Sequence, residues 1–155
     1  MALLQAGTQA PSFKGKVQDG REVSLETYKG KKLVLYFYPK DLTPGCTTES
    51  CNLRDNYSAL REQGFEILGV SADDEAKHQK FIDKHDLPFD LLADTDKECI
   101  NAFGVWGLKK FMGKEYMGIN RSTFVIDENG QIILVIDKVK TKDHSQQILD
   151  LLNQA

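Results

Sequence analysis

The sequence predicts an α/β fold: a three-layer sandwich in which helices cover both faces of a mixed central β-sheet, preceded by an N-terminal β-hairpin. Short apolar runs of strand-forming residues alternate with segments of helical periodicity, and the chain closes with a second hairpin and a helix. The 155 residues contain no internal repeat or linker-like stretch. The sequence therefore predicts one domain over residues 1–155.

The N-terminal hairpin and the first core strand follow from turn and strand signals. Asp19-Gly20 is a hairpin turn signal that lies between the extended segments 12–18 and 21–25. The apolar run over 32–38 is rich in strand-forming residues, and a proline closes it. Such a run is typical of a strand that is buried on both faces of its sheet.

A helix over 43–63 is predicted by its start, its apolar spacing and its end. Thr43 is a preferred N-cap, and Pro44 suits the first helical position because its missing N–H would have no partner there. Apolar residues then recur at helical spacing, and a glycine follows residue 63. This start makes Cys46 the third residue of the helix.

The remaining elements are predicted from the same two kinds of pattern, apolar runs for strands and helical spacing for helices. They are strands over 65–71 and 89–93, helices over 74–85 and 97–103, a hairpin of strands over 122–127 and 131–139, and a closing helix over 143–152. Residues 104–118 are rich in glycine and aromatic residues, and we expect a loop there.

Composition and charge exclude several classes of function. The net charge of −3 gives no basic footprint for nucleic acid. No apolar stretch approaches the ~20 residues that span a bilayer, and the start of the chain lacks the pattern of a secretory signal. Three cysteines are too few for a disulfide scaffold. We therefore expect a cytoplasmic protein without a membrane partner, in which a close cysteine pair is catalytic or metal-binding.

The position of Cys46 favours a reactive thiol. In the first turn of a helix it faces unpaired backbone N–H groups and the positive end of the helix dipole, which favour the thiolate, and the thiolate is the nucleophilic form. The alternative is a small buried residue, as free cysteines often are. The Thr-Pro-Gly lead-in favours function.

Cys51 lies five residues further along the same predicted helix. Helical rise alone separates the two Cα atoms by ~7.5 Å. A disulfide requires Cα atoms within roughly 4.4–6.8 Å of each other. The two cysteines therefore cannot bond while the helix is intact: either Cys51 is inert, or the helix start unwinds.

The residues around Cys46 resemble a known family. The string from Pro39 to Cys46, Pro-Lys-Asp-Leu-Thr-Pro-Gly-Cys, resembles the peroxiredoxin motif P-x-x-x-T-x-x-C. Segments 46–55, 104–107 and 112–124 resemble the bacterioferritin comigratory protein, or peroxiredoxin Q, subfamily. The resemblance covers essentially the whole chain. It implies a thioredoxin-like fold and the reduction of hydroperoxides.

The resemblance also implies a role for each residue of the motif. The matched catalytic residues are the peroxidatic Cys46, the resolving Cys51, the pocket hydroxyl of Thr43, the shielding Pro39, the charged Arg121, and Glu49, which orients Arg121. Cys46 would become a sulfenic acid and then condense with Cys51. That step requires local unfolding of roughly residues 42–54, given the helical spacing. The implied partners are a hydroperoxide and thioredoxin or a similar dithiol reductant, with no cofactor or metal and a monomeric chain.

Two other functions compete with this interpretation. A thioredoxin-type disulfide reductase usually carries C-x-x-C, whereas this chain has C-x4-C and no C-x-x-C. A redox-sensing binding module or chaperone, switched by oxidation of Cys46, is the third hypothesis.

Several residues outside the motif have weaker signals. Cys99 is predicted to be a buried packing residue, with a minor redox role left open. A zinc site at His78 and His85 would need closer ligands and a second pair, so both are predicted at the surface. His144, near a helix start, is predicted at the surface as well. Four aromatic residues either form an apolar collar near the active site or pack as part of an ordinary loop: Phe103, Trp106, Phe111 and Tyr116.

Overall fold

The computed structural model describes residues 4–154, except for the side chain of Phe111. Its strands are β1 (Lys14–Lys16), β2 (Glu22–Ser24), β3 (Lys32–Phe37), β4 (Phe65–Ser71), β5 (Asp90–Ala93), β6 (Trp106–Phe111), β7 (Lys114–Ile119), β8 (Ser122–Ile126) and β9 (Ile132–Ile136). Its α-helices are α1 (Pro44–Asp55), α2 (Tyr57–Glu62), α3 (Glu75–His85), α4 (Glu98–Ala102) and α5 (His144–Asn153).

Five of the strands form a central sheet in the order β5-β4-β3-β8-β9. β3, β4 and β5 are parallel to one another, whereas β8 pairs antiparallel with both β3 and β9. The sheet is therefore mixed, as predicted. The N-terminal hairpin of β1 and β2 is also present, with shorter strands than the sequence suggested.

The central strand β3 is buried on both faces, which explains its uninterrupted apolar sequence. Leu33, Leu35 and Phe37 belong to one core cluster, and Val34 and Tyr36 belong to the other. The second cluster contains the inner faces of α1, α2, α3 and α5, whereas the first contains residues of α4 and of the N-terminal hairpin. Helices thus cover both faces of the sheet.

The single helix predicted over 43–63 is divided at Asn56. The backbone there leaves the helical region (ψ 7°), and the N–H of Asn56 donates to Leu53 O. The Asn56 side chain also donates to Asn52 O at 2.9 Å. Since an asparagine amide can substitute for backbone donors, the helix ends and restarts without leaving that carbonyl unpaired.

The predicted loop over 104–118 is wrong, because β6 and β7 pair there as an antiparallel hairpin. The turn residues Met112 and Gly113 have φ of 52° and 80°. Two consecutive positive φ values fit a two-residue turn whose twist matches that of the strands. Methionine is an unusual residue at such a turn, and glycines and lysines obscure the strand alternation. In residues 4–154, no helix is long and apolar enough to cross a membrane.

Candidate active site

Cys46 lies in the first turn of α1, where the sequence predicted it. Thr43 has the extended backbone of an N-cap (φ −88°, ψ 153°), and Pro44 is the first helical residue. The Thr43 side chain does not cap the helix: its hydroxyl donates to Lys40 O at 2.7 Å. The Cys46 side chain is 1% exposed.

A guanidinium group faces the thiol. Arg121 Nη2 lies 3.3 Å from Cys46 Sγ, and Arg121 Nη1 donates to Glu49 Oε1 at 2.6 Å. The register of the sheet explains why Arg121 approaches Cys46. Ser122, the residue after Arg121, pairs with Phe37 at the end of β3, and the loop that follows β3 leads to Cys46. A Cβ at Gly45 would lie 3.2 Å from Arg121 Nη2, so a side chain there would crowd the guanidinium.

Burial and charge act against each other in this cluster. Burial raises the pKa of Glu49 to about 7, although Arg121 lowers it in part. Burial tends to lower the pKa of Arg121, but the charges of Cys46 and Glu49 outweigh it and raise that pKa above the ordinary value. The guanidinium therefore stays charged, while the Glu49 carboxyl can gain or lose a proton near neutral pH.

The second cysteine occupies the same continuous helix. Cys51 is half-buried, and both Cys46 and Cys51 are free thiols in α1. The helical spacing argument therefore applies to the structure as it stands. Cys99, in α4, is buried as predicted, and burial raises the pKa of its thiol well above the ordinary value. A buried neutral thiol is a poor nucleophile.

A cavity of about 320 Å³ opens beside the loop that precedes Cys46. Pro39, Trp106, Tyr116 and Met117 contribute to its mainly apolar wall. Phe103 is not part of it, because its ring packs against Phe37 and Phe124 in the core. Two members of the proposed aromatic collar thus line this cavity, and the side chain of Phe111 lies outside the described part of the chain.

One of the three lysines that line this cavity, Lys109, is held near the active site. Lys109 Nζ donates to Ile119 O at 2.9 Å. Burial and then the charge of Arg121 lower the pKa of Lys109, whereas Cys46 acts in the opposite direction. From the sequence, Lys109 was interpreted only as part of a basic pair at the solvated surface.

The prediction that His78 lies at the surface is wrong. Its imidazole is fully buried: Nε2 lies 2.9 Å from Leu92 O, and Nδ1 lies 2.6 Å from Asp41 Oδ2. His78 shares the inner face of α3 with Phe81, three residues further on. That spacing was the available sign of burial, because residues at i and i+3 share a helix face.

Asp41 anchors the loop between β3 and α1. It accepts hydrogen bonds from Tyr38 Oη at 2.5 Å, and its own N–H donates to Asp73 Oδ2 at 2.8 Å. Within residues 4–154, only Asp41, Asp73 and His78 bring three metal-type ligand atoms within 4.8 Å of one another. These atoms already bond one another or their neighbours, so the cluster is a hydrogen-bond network that holds the loop before α1 rather than an open ligand set.

The surface prediction is also wrong for His144, at the start of α5. Nε2 lies 2.7 Å from Thr123 Oγ1 and 3.5 Å from Glu49 Oε2, and Nδ1 lies 2.9 Å from Gln147 Oε1. Ile148, four residues on, is buried on the same face of the helix. Burial holds the imidazole neutral, lowering its pKa to about 4. The third histidine, His85, is half-buried, with its ring 5.6 Å from that of Phe81.

Comparisons with known proteins agree on one family. The AhpC/TSA family profile matches residues 6–135. Peroxiredoxin Bcp of Bacillus subtilis is 52% identical over 149 residues, which are 96% of this chain and 95% of that protein. The bacterioferritin comigratory protein of Xanthomonas campestris superposes with a TM-score of 0.88 at 34% identity, covering 97% of this chain and 98% of that one. A PrxQ mutant of Xylella fastidiosa superposes at 0.91 with 29% identity, covering 99% and 98%.

Proposed function

Because this chain belongs to the AhpC/TSA family and is a peroxiredoxin, a peroxidase of thioredoxin-like fold, we propose that Cys46 is the thiol oxidised by the hydroperoxide. The observation that carries this assignment is the contact of 3.3 Å between Cys46 Sγ and Arg121 Nη2. A permanently charged guanidinium at that distance stabilises a thiolate and the negative charge that develops on peroxide oxygen.

The residues of the pocket then have separate tasks in the first step. The Cys46 thiolate attacks the distal oxygen of the hydroperoxide, the O–O bond breaks, and the released alkoxide or hydroxide takes up a proton. The Thr43 hydroxyl donates its hydrogen bond to Lys40 O. The Thr43 oxygen is therefore free to accept a hydrogen bond from the O–H of the hydroperoxide. Arg121 faces the reacting atoms. In this proposal Pro39 shields one side of the thiol from water.

Cys51 is the resolving thiol in this proposal. Cys46 sulfenic acid and the Cys51 thiol condense to a disulfide and one water. Both residues lie within α1, and helical rise keeps their Cα atoms ~7.5 Å apart along the axis. Most of α1, with the end of the loop before it, must therefore unfold in each cycle, over roughly residues 42–54.

The substrates and reductant follow from chemistry and from the relatives. The X. campestris relative has alkyl peroxide reduction activity, and the apolar wall beside Pro39 suits an alkyl group. We extend this to hydrogen peroxide and organic hydroperoxides as substrates. An intramolecular disulfide calls for thioredoxin or a similar dithiol as reductant, in a reducing compartment such as the cytoplasm. We also propose that the protein is a single-domain monomer and that its activity serves redox homeostasis and defence against oxidative stress.

The test is hydroperoxide consumption coupled to thioredoxin and its reductase, with the buried thiol of Cys99 as the matched control. We expect Cys46→Ser to lose all activity, because no other thiol faces Arg121 in residues 4–154. Cys51→Ser should react once and stop as the sulfenic acid, and Cys99→Ser should turn over normally. Turnover by Cys46→Ser would overturn the assignment. Full turnover by Cys51→Ser would instead remove Cys51 as the sole resolving residue.

A further inference from the structure

Glu49 has one oxygen that no hydrogen bond explains. Oε1 accepts from Arg121, but Oε2 is buried without a hydrogen-bond partner, the one buried side-chain oxygen or nitrogen in that condition within residues 4–154. His144 Nε2 lies 3.5 Å away, and both side chains are fully buried. A buried carboxylate oxygen left without a donor is costly, so the protonation of this pair needs an explanation.

Contacts between α1 and the start of α5 fix the two side chains relative to each other. Asn52 lies one turn beyond Glu49, and its side chain accepts from Ser145 N–H at 2.8 Å and donates to Lys142 O at 3.2 Å. His144 lies between these two backbone partners. The 3.5 Å separation is therefore set by the docking of the helices rather than by one flexible side chain.

The neighbours of His144 determine which ring nitrogen carries a proton. Gln147 Oε1 accepts from Lys140 N–H at 2.9 Å, and Gln147 Nε2 donates to Lys138 O at 2.9 Å. These bonds fix the amide with its oxygen towards His144, so His144 Nδ1 must donate to it. In the neutral ring, Nε2 is then an acceptor, and it receives the hydroxyl proton of Thr123.

A neutral His144 therefore presents an unprotonated ring nitrogen, and no N–H donor, to Glu49 Oε2 at 3.5 Å. The partial negative charge of that nitrogen repels a carboxylate oxygen, and protonation of Glu49 removes the repulsion. Burial raises the pKa of Glu49 to about 7 and lowers that of His144 to about 4, so below about pH 7 a proton on this pair belongs on Glu49. Glu49 Oε1 still accepts from Arg121 when the carboxyl is neutral.

We propose that His144 is a positioning residue that holds Glu49 in its protonated form, so that the charge of Arg121 acts on Cys46 alone. The inference rests on the proposed role of Cys46 as the peroxidatic thiol. Ionised Glu49 would divide the guanidinium charge between two anions and weaken its action on the transition state. His144 thus extends the active site to the C-terminal helix without touching the substrate.

The other titratable groups around Glu49 do not replace this pair. Cys46 and Cys51 lie on the same helix, and Arg121 bonds Oε1. Tyr36 of β3 bonds Ser50 instead, and burial raises the pKa of its hydroxyl well above the ordinary value, so it stays neutral. The acidic and basic residues next to His144, Lys142 and Asp143, are exposed.

The direct test is an NMR titration of the reduced full-length protein with labelled Glu and His side chains. We expect the Glu49 carboxyl to titrate near the pKa of about 7. His144 should remain neutral, with its proton on Nδ1, across the same transition. Glu49 ionised throughout the range above about pH 5, or His144 doubly protonated at neutral pH, would overturn the proposal. This measurement needs no variant and no activity, so it is independent of whether Cys46 is peroxidatic.

Two variants of His144 separate hydrogen bonding from packing. His144→Gln places an N–H donor near Glu49 Oε2, which should lower the Glu49 titration midpoint by about one pH unit. His144→Leu removes the acceptor nitrogen without adding a donor, so it should also lower the midpoint, but by clearly less than His144→Gln. The half-buried His85, changed to Gln, is the control and should leave the midpoint where it is. An unchanged or raised midpoint in His144→Leu would contradict the proposal.

The rate of Cys46 oxidation provides the functional readout. In stopped-flow experiments the wild-type rate should fall on an alkaline limb whose midpoint matches the Glu49 titration. His144→Gln should move that limb down by about one pH unit, together with the NMR midpoint. In Glu49→Gln the limb should be absent, and adding His144→Gln should not restore it. A limb that persists in Glu49→Gln would assign it to another group and refute the link.

Discussion

Two buried histidines each face a carboxylate close to Cys46 in sequence, Asp41 before it and Glu49 after it. His78 Nδ1 lies 2.6 Å from Asp41 Oδ2, and the other ring nitrogen bonds a backbone carbonyl. His144 Nε2 lies 3.5 Å from Glu49 Oε2, which has no hydrogen-bond partner from residues 4–154. The same two chemical groups thus form a satisfied pair at one site and an unsatisfied pair at the other.

The difference suggests separate tasks for the two pairs. The Asp41 pair fixes the loop between β3 and α1, since Asp41 also bonds Tyr38 and Asp73. A fully bonded network of this kind is rigid and specifies one arrangement. In the pair of Glu49 and His144, the Glu49 carboxyl can be protonated or ionised. Because Glu49 bonds Arg121, its charge changes how strongly Arg121 acts on Cys46. The first pair is structural, and the second is linked to the reaction.

The largest effect should come from breaking the satisfied pair. Asp41→Ala leaves His78 Nδ1 and the Tyr38 hydroxyl buried without the carboxyl group that both contact. We expect a loss of about 3–5 kcal/mol in the free energy of unfolding, measured by urea denaturation. Asp41→Asn keeps an acceptor oxygen and should lose clearly less. If the two variants were equally stable, the hydrogen bonds of Asp41 would not be what anchors this loop.

The pair of Glu49 and His144 should make the free energy of unfolding depend on pH. Burial raises the folded-state pKa of Glu49 from 4.5 to about 7, so the folded protein binds more protons than the unfolded chain between these values. Its contribution to stability is fully present below pH 4.5 and is lost as the pH rises through about 7. Glu49→Gln removes this loss.

The measurement is the difference in the free energy of unfolding between wild type and Glu49→Gln as a function of pH. Relative to the variant, the wild type should become less stable by about 3 kcal/mol as the pH rises across this window. His144 has the opposite sign in the wild type, because burial lowers its pKa from 6.5 to about 4. A difference that is independent of pH would mean that Glu49 is ionised throughout and that the two pairs are alike.

The smallest effect is expected at the third histidine. His85 is half-buried and its ring contacts the edge of Phe81, but its side chain faces no carboxylate in the described part of the chain. We expect His85→Gln to change the free energy of unfolding by about 0.5 kcal/mol or less. A loss as large as that of Asp41→Ala would show that histidine packing, rather than pairing with a carboxylate, sets the size of these effects.

Local patterns predicted most elements of the fold. The apolar run of β3 and the Thr43-Pro44 start of α1 are confirmed, because each depends on neighbouring residues only. The hairpin of β6 and β7 was missed, since its Met-Gly turn lacks the usual residues and its strands lack clean alternation. The division of the long helix at Asn56 was missed as well, because its side-chain bond to Asn52 O is not visible in apolar spacing.

The candidate site was less accessible to sequence reasoning than the fold. The position of Cys46 in a first turn and its separation from Cys51 could be worked out from helix geometry alone. The importance of Arg121 and Glu49 came only from the family resemblance. His144 and Asp41 were missed, since nothing local to either residue indicates a partner 95 or 37 positions away.

The sequence by itself therefore determined where the reactive thiol lies on its helix, and that Cys51 cannot reach it while that helix is folded. Helix starts and helical spacing depend on a few adjacent residues. The tertiary structure alone decided what surrounds the thiol. The antiparallel pairing of β8 with β3 brings Arg121 to Cys46, and the docking of α5 on α1 buries His144 against Glu49. Such contacts depend on strand order and helix packing, which join distant parts of the chain.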